Sequence, residues 1–486
     1  MTPPRDSSRA NNGKIRRVIG PWGTVAVVAG SMVGIGIFLS PRIVAEQMPT
    51  LGGYLFVWLF GGFVALCGAV AYAELGSIFP RSGGDYVFLN AAFGRSTAVA
   101  GGWLLFLGVF CGSVATMSVA VCEYQLPVLL GPVVDVDWSA ELVALGPLSI
   151  TGVRAAGLAL LLSLTVLNVL GTKVSERAQI LLSLVPIAIL LLISVWVLVT
   201  GPHDTAISAT ESFDDRNLSP VAGFTGAFLA VYFAYAGWNA VAYIAGEVKD
   251  YEKNLPIGLI GGTLLVSGVY AVMAAAFVAV LGMGGLTQAM EAGTATASAL
   301  WGDHGELVAV AIIAIGLLGS INATIFAGSR IAAAMGRDGV LPEVVGKWGP
   351  RSTPEVALWL QAAVSILLVV SGTFEALLEL TSVAMLLLGS LVVIALFLLR
   401  QKHPDIERPY RAMGYPVLPA IFVVVSLSIV VISLYRAVEP SSVNDMTLVE
   451  RWFPLLGIAL FALIFAIHRI LSTRSSSESQ PPEPSP

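Results

Sequence analysis

Long apolar segments separated by short polar ones make up most of the chain. Each segment is continuous and lacks the two-residue alternation of a membrane β-strand, and a helix needs about 20 apolar residues to cross the hydrocarbon core of a bilayer. The pattern therefore predicts twelve membrane-spanning helices. They lie at about 20–44, 52–79, 97–126, 152–170, 176–200, 219–245, 256–282, 305–335, 355–373, 377–399, 416–436 and 452–471.

Positive charges between these segments fall mostly on one side of the predicted membrane. With the N-terminus in the cytoplasm, 21 of the 26 Lys and Arg residues lie on the cytoplasmic side, as is typical of cytoplasmic loops. A missed or invented span would scramble this asymmetry, so it supports twelve spans with both termini in the cytoplasm. The opposite side carries Arg42, Arg154, Arg216, Arg436 and Arg451.

Composition agrees with a lipid environment. The chain is 56% hydrophobic and 12% charged, with a mean hydropathy of +0.84, which is too apolar for a soluble protein. We predict an all-α polytopic membrane protein of the plasma membrane, with the lipid bilayer as its surroundings and no nucleic-acid partner. The polar ends, 1–17 and 473–486, are predicted to be disordered, and the first apolar run is too long for a signal peptide.

Two of the predicted helices carry signs of an interruption. The first contains GSMVGIGIF (30–38), in which Gly30, Gly34 and Gly36 either allow close packing, as in a G-x-x-x-G motif, or break the helix. The sixth contains FAYAGWNAVAYIAGE (233–247). Matching breaks five helices apart are typical of transporters built from two inverted repeats, so we favour interruption of helices 1 and 6.

An interrupted helix offers backbone groups to a ligand. N–H groups are free at the start of its second half and C=O groups at the end of its first. The N–H end attracts an anion and the C=O end a cation, so the pair suits an α-amino acid.

The predicted parts of the chain are the N-terminus 1–17, a first repeat 18–200, a second repeat 201–400, two further helices 401–472 and the C-terminus 473–486.

Four further stretches identify a family resemblance. Together with GSMVGIGIF, the chain resembles the amino acid–polyamine–organocation (APC) superfamily of transporters, and more closely its L-type amino-acid transporter branch. This implies a LeuT-like fold of ten core helices in two inverted repeats plus two more helices. The stretches are AYAELGSIFPRSGGDY (71–86), FAYAGWN (233–239), GEVKDYEKNLP (246–256) and GSINATIFAGSRIAAAMGRDGVLP (319–342).

The resemblance also implies a substrate site at the two breaks. Trp238 would border this pocket, although tryptophan in membrane proteins more often faces lipid or the interface. The residues carried over by position are Ser31, Met32, Gly34, Ile35 and Gly36 in the first helix, and Phe233, Ala234, Ala236, Gly237, Trp238 and Asn239 in the sixth.

Three departures from the family pattern bear on the substrate. Ile35 stands where relatives often have a serine, so backbone N–H groups would hold the carboxylate. Ala236 stands where relatives that accept cationic amino acids can have aspartate, which favours a neutral, apolar or aromatic substrate. Pro186 stands where some proton-coupled relatives have a buried lysine, which favours obligatory exchange.

Polar residues in the spans leave some choices open. Ser320, Asn322 and Thr324, with Ser329, could bind sodium, but such side chains usually bond to backbone or to neighbouring helices. Glu74 and Asp85 are expected to pair with basic residues or to cap helix starts near the cytoplasmic side, and Glu123 lies near the external end of the third span.

No enzyme chemistry is indicated. The histidines and cysteines lack metal-ligand spacing, no phosphate-binding loop is present, and no cofactor is expected. Cys67, Cys111 and Cys122 fall in predicted spans, so no disulfide-linked subunit is expected. We predict a secondary-active transporter that exchanges neutral L-amino acids by alternating access. The alternatives are a cationic amino acid or polyamine transporter and a non-transporting amino-acid sensor of the same fold.

Overall fold

Helices dominate the protein in a computed structural model that describes residues 15–131, 138, 140–145, 148–200, 220–371, 374–438, 457–459 and 461–470. The helices are α1 (Pro21–Met32), α2 (Gly36–Gln47), α3 (Leu51–Ile78), α4 (Asp85–Phe93), α5 (Arg95–Leu130), α6 (Gly152–Val169), α7 (Thr172–Thr200), α8 (Pro220–Ala234), α9 (Ala240–Tyr243), α10 (Tyr251–Gln288), α11 (Ala292–Arg337), α12 (Glu355–Ser371), α13 (Phe374–Lys402) and α14 (Val417–Val438).

The lengths and apolarity of these helices are those of a polytopic membrane protein. Among the described residues, eight helices are long and apolar enough to cross a bilayer, and the bent pair α1–α2 would make a ninth. Three shorter apolar helices are Gly223–Ala234, Glu355–Ser371 and Gly457–Ile470. Helices thus overlap each of the predicted apolar segments, and the prediction of a polytopic helical membrane protein is confirmed.

Both predicted interruptions are present. Helix α1 ends at Met32, α2 begins at Gly36, and the two are bent by 44°. Helix α8 ends at Ala234 and α9 begins at Ala240. Between them Gly237 has a φ of 99°, a left-handed conformation that strongly favours glycine.

The structure adds features that the hydrophobic pattern did not predict. An antiparallel hairpin of β1 (Glu141–Leu145) and β2 (Leu148–Thr151) connects α5 to α6, so the all-α prediction is wrong for this short connection. Helix α11 begins well before the predicted span because it continues through a kink at Gly302. Helix α5 contains a π-helical stretch at Leu104–Cys111, a conformation that often marks functional sites.

Two buried carboxylates are neutralised near the side predicted to be cytoplasmic. Glu247, just after α9, accepts hydrogen bonds from Arg330 of α11 at 2.9 and 3.0 Å, and neither side chain is exposed. Glu74 of α3 accepts a hydrogen bond from Arg400 at 2.9 Å and pairs with Arg408 at 3.3 Å. The predicted pairing of Glu74 with basic residues is confirmed.

Candidate functional site

The two interrupted helices face each other across a cavity whose empty space, together with the part open to solvent, is about 890 Å³. Its walls also include the π-helical part of α5, the first residue of α4, and parts of α11 and α13. Ten of the eleven residues predicted for the site line this cavity. They are Ser31, Met32, Gly34, Ile35, Gly36, Phe233, Ala236, Gly237, Trp238 and Asn239.

The eleventh predicted residue, Ala234, packs behind the cavity wall. A Cβ atom on Gly36 would lie 2.5 Å from the Cα atom of Ala234, so the backbones of α2 and α8 touch at this point. A Cβ atom on Gly237 would likewise lie 2.6 Å from the carbonyl oxygen of Ser31. Glycine at both positions therefore lets the two breaks approach each other and leaves their backbones open to the cavity.

Gly30 has a different environment from Gly36. A Cβ atom on Gly30 would collide with the side chains of Ser183 and Gln179 on α7. Gly30 is thus a packing glycine, whereas Gly36 both packs against α8 and lines the cavity. The two explanations for the glycine cluster hold at different residues of the same motif.

Free backbone donors face the cavity at the start of α2. Within the described residues, no hydrogen bond is found from the N–H groups of Ile35, Gly36 and Ile37, and the first two of these residues line the cavity. These groups lie at a helix N-terminus, where the helix dipole favours negative charge. The arrangement can hold a carboxylate without a side-chain hydroxyl.

One tyrosine ties the two breaks together. The hydroxyl of Tyr270 on α10 lies 2.6 Å from the carbonyl oxygen of Met32 and 3.0 Å from that of Ala234. Its single proton bonds to one of the two carbonyls at a time, and the Met32 carbonyl also accepts from the N–H of Gly34 at 2.8 Å, so the hydroxyl links the ends of α1 and α8. Sequence reasoning missed Tyr270, because nothing in its local pattern distinguishes it from other buried tyrosines.

Aromatic side chains close one side of the cavity. Trp238 is only 3% exposed and packs edge-on against Tyr72 at 4.8 Å and Phe422 at 5.5 Å between ring centroids. The alternative that Trp238 faces lipid is therefore wrong. Asn239 donates a hydrogen bond of 3.0 Å to the hydroxyl of Tyr243, which also lines the cavity.

Three polar atoms in the cavity wall lack protein partners. The Oγ atoms of Ser31 and Ser113 and the Oδ1 atom of Asp85 are buried, and no hydrogen bond to them is found in the described part of the chain. Each such group costs about 1–3 kcal/mol if it stays unsatisfied. They are therefore natural contacts for a polar ligand or for water.

The residues predicted as sodium ligands do not converge. Ser320 and Thr324 line the cavity, but Asn322 points away from it. The Asn322 amide donates to Gln179 at 2.8 Å and accepts from Asn168 at 2.8 Å, and it is fully buried. Asn322 thus joins α6, α7 and α11, and the predicted set of three ligands is not assembled around one point.

Replacing Asn322 tests its structural role. We expect Asn322→Ala to lower the free energy of unfolding by about 1–3 kcal/mol, because buried amides of Gln179 and Asn168 lose their partners. Thermal unfolding in detergent measures the change, and Asn90→Ala, at an exposed position, is the matched control. Unchanged stability with a loss of sodium-dependent binding would instead make Asn322 a sodium ligand.

Comparison with known proteins identifies the family of this chain. A sequence profile of the amino acid permease family matches residues 19–477. The chain belongs to this family. The resemblance to APC-superfamily transporters is thereby confirmed, and the permease is expected to share the family's transport function rather than to be an enzyme.

Several relatives align with most of the permease. It is 29% identical over 415 residues to the cystine/glutamate transporter of Homo sapiens, covering 85% of this chain and 79% of the relative. It is 28% identical over 427 residues to the serine/threonine exchanger SteT of Bacillus subtilis (strain 168), covering 84% and 89%. It is 27% identical over 426 residues to the large neutral amino acids transporter small subunit 2 of Homo sapiens, covering 86% and 76%.

Proposed function

We propose that the permease exchanges neutral L-amino acids across the plasma membrane by alternating access. The observation that carries this proposal is the cavity between the two helix breaks, with the free N–H groups of Ile35 and Gly36 at its wall. These groups would bind the substrate carboxylate, and carbonyl groups at the end of α1 would receive its ammonium group. Exchange is also what the name of the relative SteT describes.

The rest of the cavity wall suits an apolar side chain. It is formed largely by aliphatic, thioether and aromatic groups, and Ala236 offers no charge. An apolar side chain buried there gains about 25 cal/mol for each Å² removed from water. The residues are Leu105, Val109, Phe110, Met117, Phe233, Trp238, Met385 and Leu388.

We further propose the fine topology of the fold. Twelve spans would place both termini in the cytoplasm, with inverted repeats at 18–200 and 201–400 followed by two helices in 401–472. The helix breaks near residues 34 and 237 support this division, because an inverted repeat would carry a break in the first helix of each half. The excess of Lys and Arg on one side of the predicted membrane supports this orientation.

Obligatory exchange is favoured by the fifth span. Pro186 is buried within α7, and no proton can bind at this position. In an exchanger of this kind, the binding site becomes exposed to the opposite side of the membrane only when it holds a substrate. The absence of a disulfide-linked subunit remains a prediction, and the three cysteines are buried with free thiols.

Counterflow in liposomes tests the proposal. We expect purified permease, in vesicles preloaded with an unlabelled neutral amino acid, to accumulate the labelled amino acid well above its level in unloaded vesicles. Omitting sodium should leave accumulation unchanged. No accumulation for any of the twenty amino acids or common polyamines would contradict transport. Binding of an amino acid without flux would indicate a sensor.

A further inference from the structure

Asp85 is a carboxylate in the cavity wall that the proposed mechanism does not use. It is the first residue of α4, which connects α3 to α5 and lies outside the candidate membrane spans. Its side chain is 1% exposed to solvent and lines the same cavity as the two helix breaks. The sequence predicted that Asp85 would pair with a basic residue or cap a helix start.

The structure brings Asp85 to the start of a helix but gives it no basic partner. Among the described residues, no Lys, Arg or His lies within ion-pairing distance of its carboxylate, and Oδ1 accepts no hydrogen bond. Glu74 of α3, by contrast, is a buried carboxylate with several partners. Its two oxygens contact Arg400, Arg408 and the backbone N–H of Ala412.

The groups that face Asp85 are neutral. Tyr72 comes from α3, Tyr232 from α8 and Tyr243 from α9, and the part of α5 that packs beside Tyr243 contributes Phe110. Helix α13 contributes the apolar Leu388 to the same cavity wall. The Tyr72 hydroxyl lies near the Asp85 carboxylate but makes no hydrogen bond of standard geometry.

A buried carboxylate without a cation binds a proton readily, because burial disfavours the charged form. Burial raises the pKa of Asp85 to about 7, although the nearby hydroxyls of Tyr243 and Tyr72 partly oppose the rise. Below that pH the group is mostly protonated and neutral, and above it mostly ionised. An ionised Asp85 in this cavity would be stabilised by any cation that enters.

A hydrogen bond connects Asp85's surroundings to the predicted substrate site. Asn239, in the break between α8 and α9, donates to the hydroxyl of Tyr243, and Tyr243 faces Asp85. The cavity that holds the backbone groups of Ile35 and Gly36 also holds the Asp85 carboxylate. A substrate bound at the breaks can thus direct its side chain toward this charge.

We propose that Asp85 is a proton-binding residue of the substrate cavity that determines substrate class. Its protonated form accepts neutral amino acids, and its ionised form accepts an amino acid with a positively charged side chain. Asp85 thereby supplies the countercharge that Ala236 does not. This proposal rests on the proposed function, because it assumes that the cavity binds amino acids.

Competition between a proton and a cationic side chain for one carboxylate has a measurable signature. The ratio of lysine to leucine transport should rise by up to about tenfold per pH unit on both sides of the pKa, because it follows the ratio of ionised to protonated Asp85. Lysine transport alone should level off above about pH 7.5, where most of Asp85 is ionised, whereas leucine transport should fall there. A cavity without a titrating group would show a nearly constant ratio, because the side chains of both amino acids keep the same charge from pH 5.5 to 8.5.

Counterflow of labelled L-leucine and L-lysine from pH 5.5 to 8.5 tests the proposal in proteoliposomes. In the unaltered permease the ratio should rise with pH. In Asp85→Asn, lysine transport should be lost at every pH, and leucine transport at pH 8 should exceed that of the unaltered protein several-fold. Glu123→Gln, which removes an exposed carboxylate outside the cavity, should behave like the unaltered protein.

Different results separate failure of this inference from failure of the proposed function. A ratio that does not change with pH in the unaltered permease overturns the inference even if Asp85→Asn fails to fold. So does an Asp85→Asn variant that keeps the original lysine transport and pH profile. If the unaltered permease exchanges no amino acid at any pH, the proposed function fails instead. Asp85→Glu, which keeps the carboxylate, should keep a rising ratio.

Discussion

Replacing Arg330 by methionine should destabilise the permease more than any surface substitution. Arg330 and Glu247 form two hydrogen bonds, and neither side chain reaches solvent. Removing one partner of a buried ion pair leaves an uncompensated charge and costs about 3–5 kcal/mol. The midpoint of thermal unfolding in detergent, followed by intrinsic fluorescence, should fall accordingly.

An exposed ion pair provides the matched control. Arg42 and Glu46 lie one helical turn apart on α2, with 46% and 22% of their side chains exposed, and such pairs contribute about 0–1 kcal/mol. Arg42→Met should therefore shift the midpoint little. The double variant Glu247→Gln with Arg330→Met should recover part of the lost stability, because no unpaired charge is left. Equal shifts for Arg42→Met and Arg330→Met would contradict this explanation.

The Glu247–Arg330 pair also restrains the second half of the sixth span. Glu247 follows α9 directly, and Thr172, at the start of α7, donates a further hydrogen bond of 3.0 Å to it. Arg330 is held in turn over the ring of Phe326 at 3.9 Å. The segment after the break is therefore fixed to α7 and α11 at the side predicted to be cytoplasmic, and alternating access must either carry these elements together or break this contact.

The helix breaks could be predicted because their cause is local. Three glycines in GSMVGIGIF and a glycine within FAYAGWN weaken the helix at those positions whatever surrounds them. The left-handed conformation of Gly237 shows why other residue types do not suit that position. A cavity between the breaks was expected, because a substrate site formed by both breaks requires them to face each other. Ten of the eleven predicted residues line it for this reason.

Contacts between distant parts of the chain could not be predicted in the same way. The Tyr270 hydroxyl meets the carbonyl of Met32 across 238 residues of sequence, and nothing near either residue signals the contact. Asp85 and Glu74 look alike in the sequence, but within the described ranges only Glu74 meets arginines, because these come from α13 and the loop after it. Asn322 looked like an ion ligand until its partners on α6 and α7 were known.

The hairpin and the length of α11 show a second limit of the pattern. Apolar content predicts where a helix crosses lipid but not what the chain does beyond the membrane. Residues 141–145 and 148–151 form two short strands with no long apolar run, and α11 extends outward from its span through the left-handed Gly302. Hydropathy carries little information about such segments, since either structure can satisfy its backbone hydrogen bonds next to water.

The substitution Gly36→Val should abolish most transport while the permease still folds. A Cβ atom at this position would lie 2.5 Å from the backbone of Ala234, and no rotamer change can relieve a contact with backbone. The start of α2 must then move away, and its N–H groups with it. Each lost hydrogen bond to a charged group is worth about 1.5–3 kcal/mol, so substrate affinity should fall about tenfold to hundredfold. Counterflow at several substrate concentrations measures the loss.

Substitutions at two other glycines distinguish a role in substrate binding from a role in helix packing. Gly268→Val places the same side chain on α10, where an added Cβ atom meets nothing within 4 Å, and it should leave counterflow unchanged. Gly30→Ala adds a methyl group against Ser183 and Gln179, so overpacking should cost about 1–3 kcal/mol of stability with little change in apparent substrate affinity. Normal affinity in Gly36→Val would show that this glycine, like Gly30, serves packing alone.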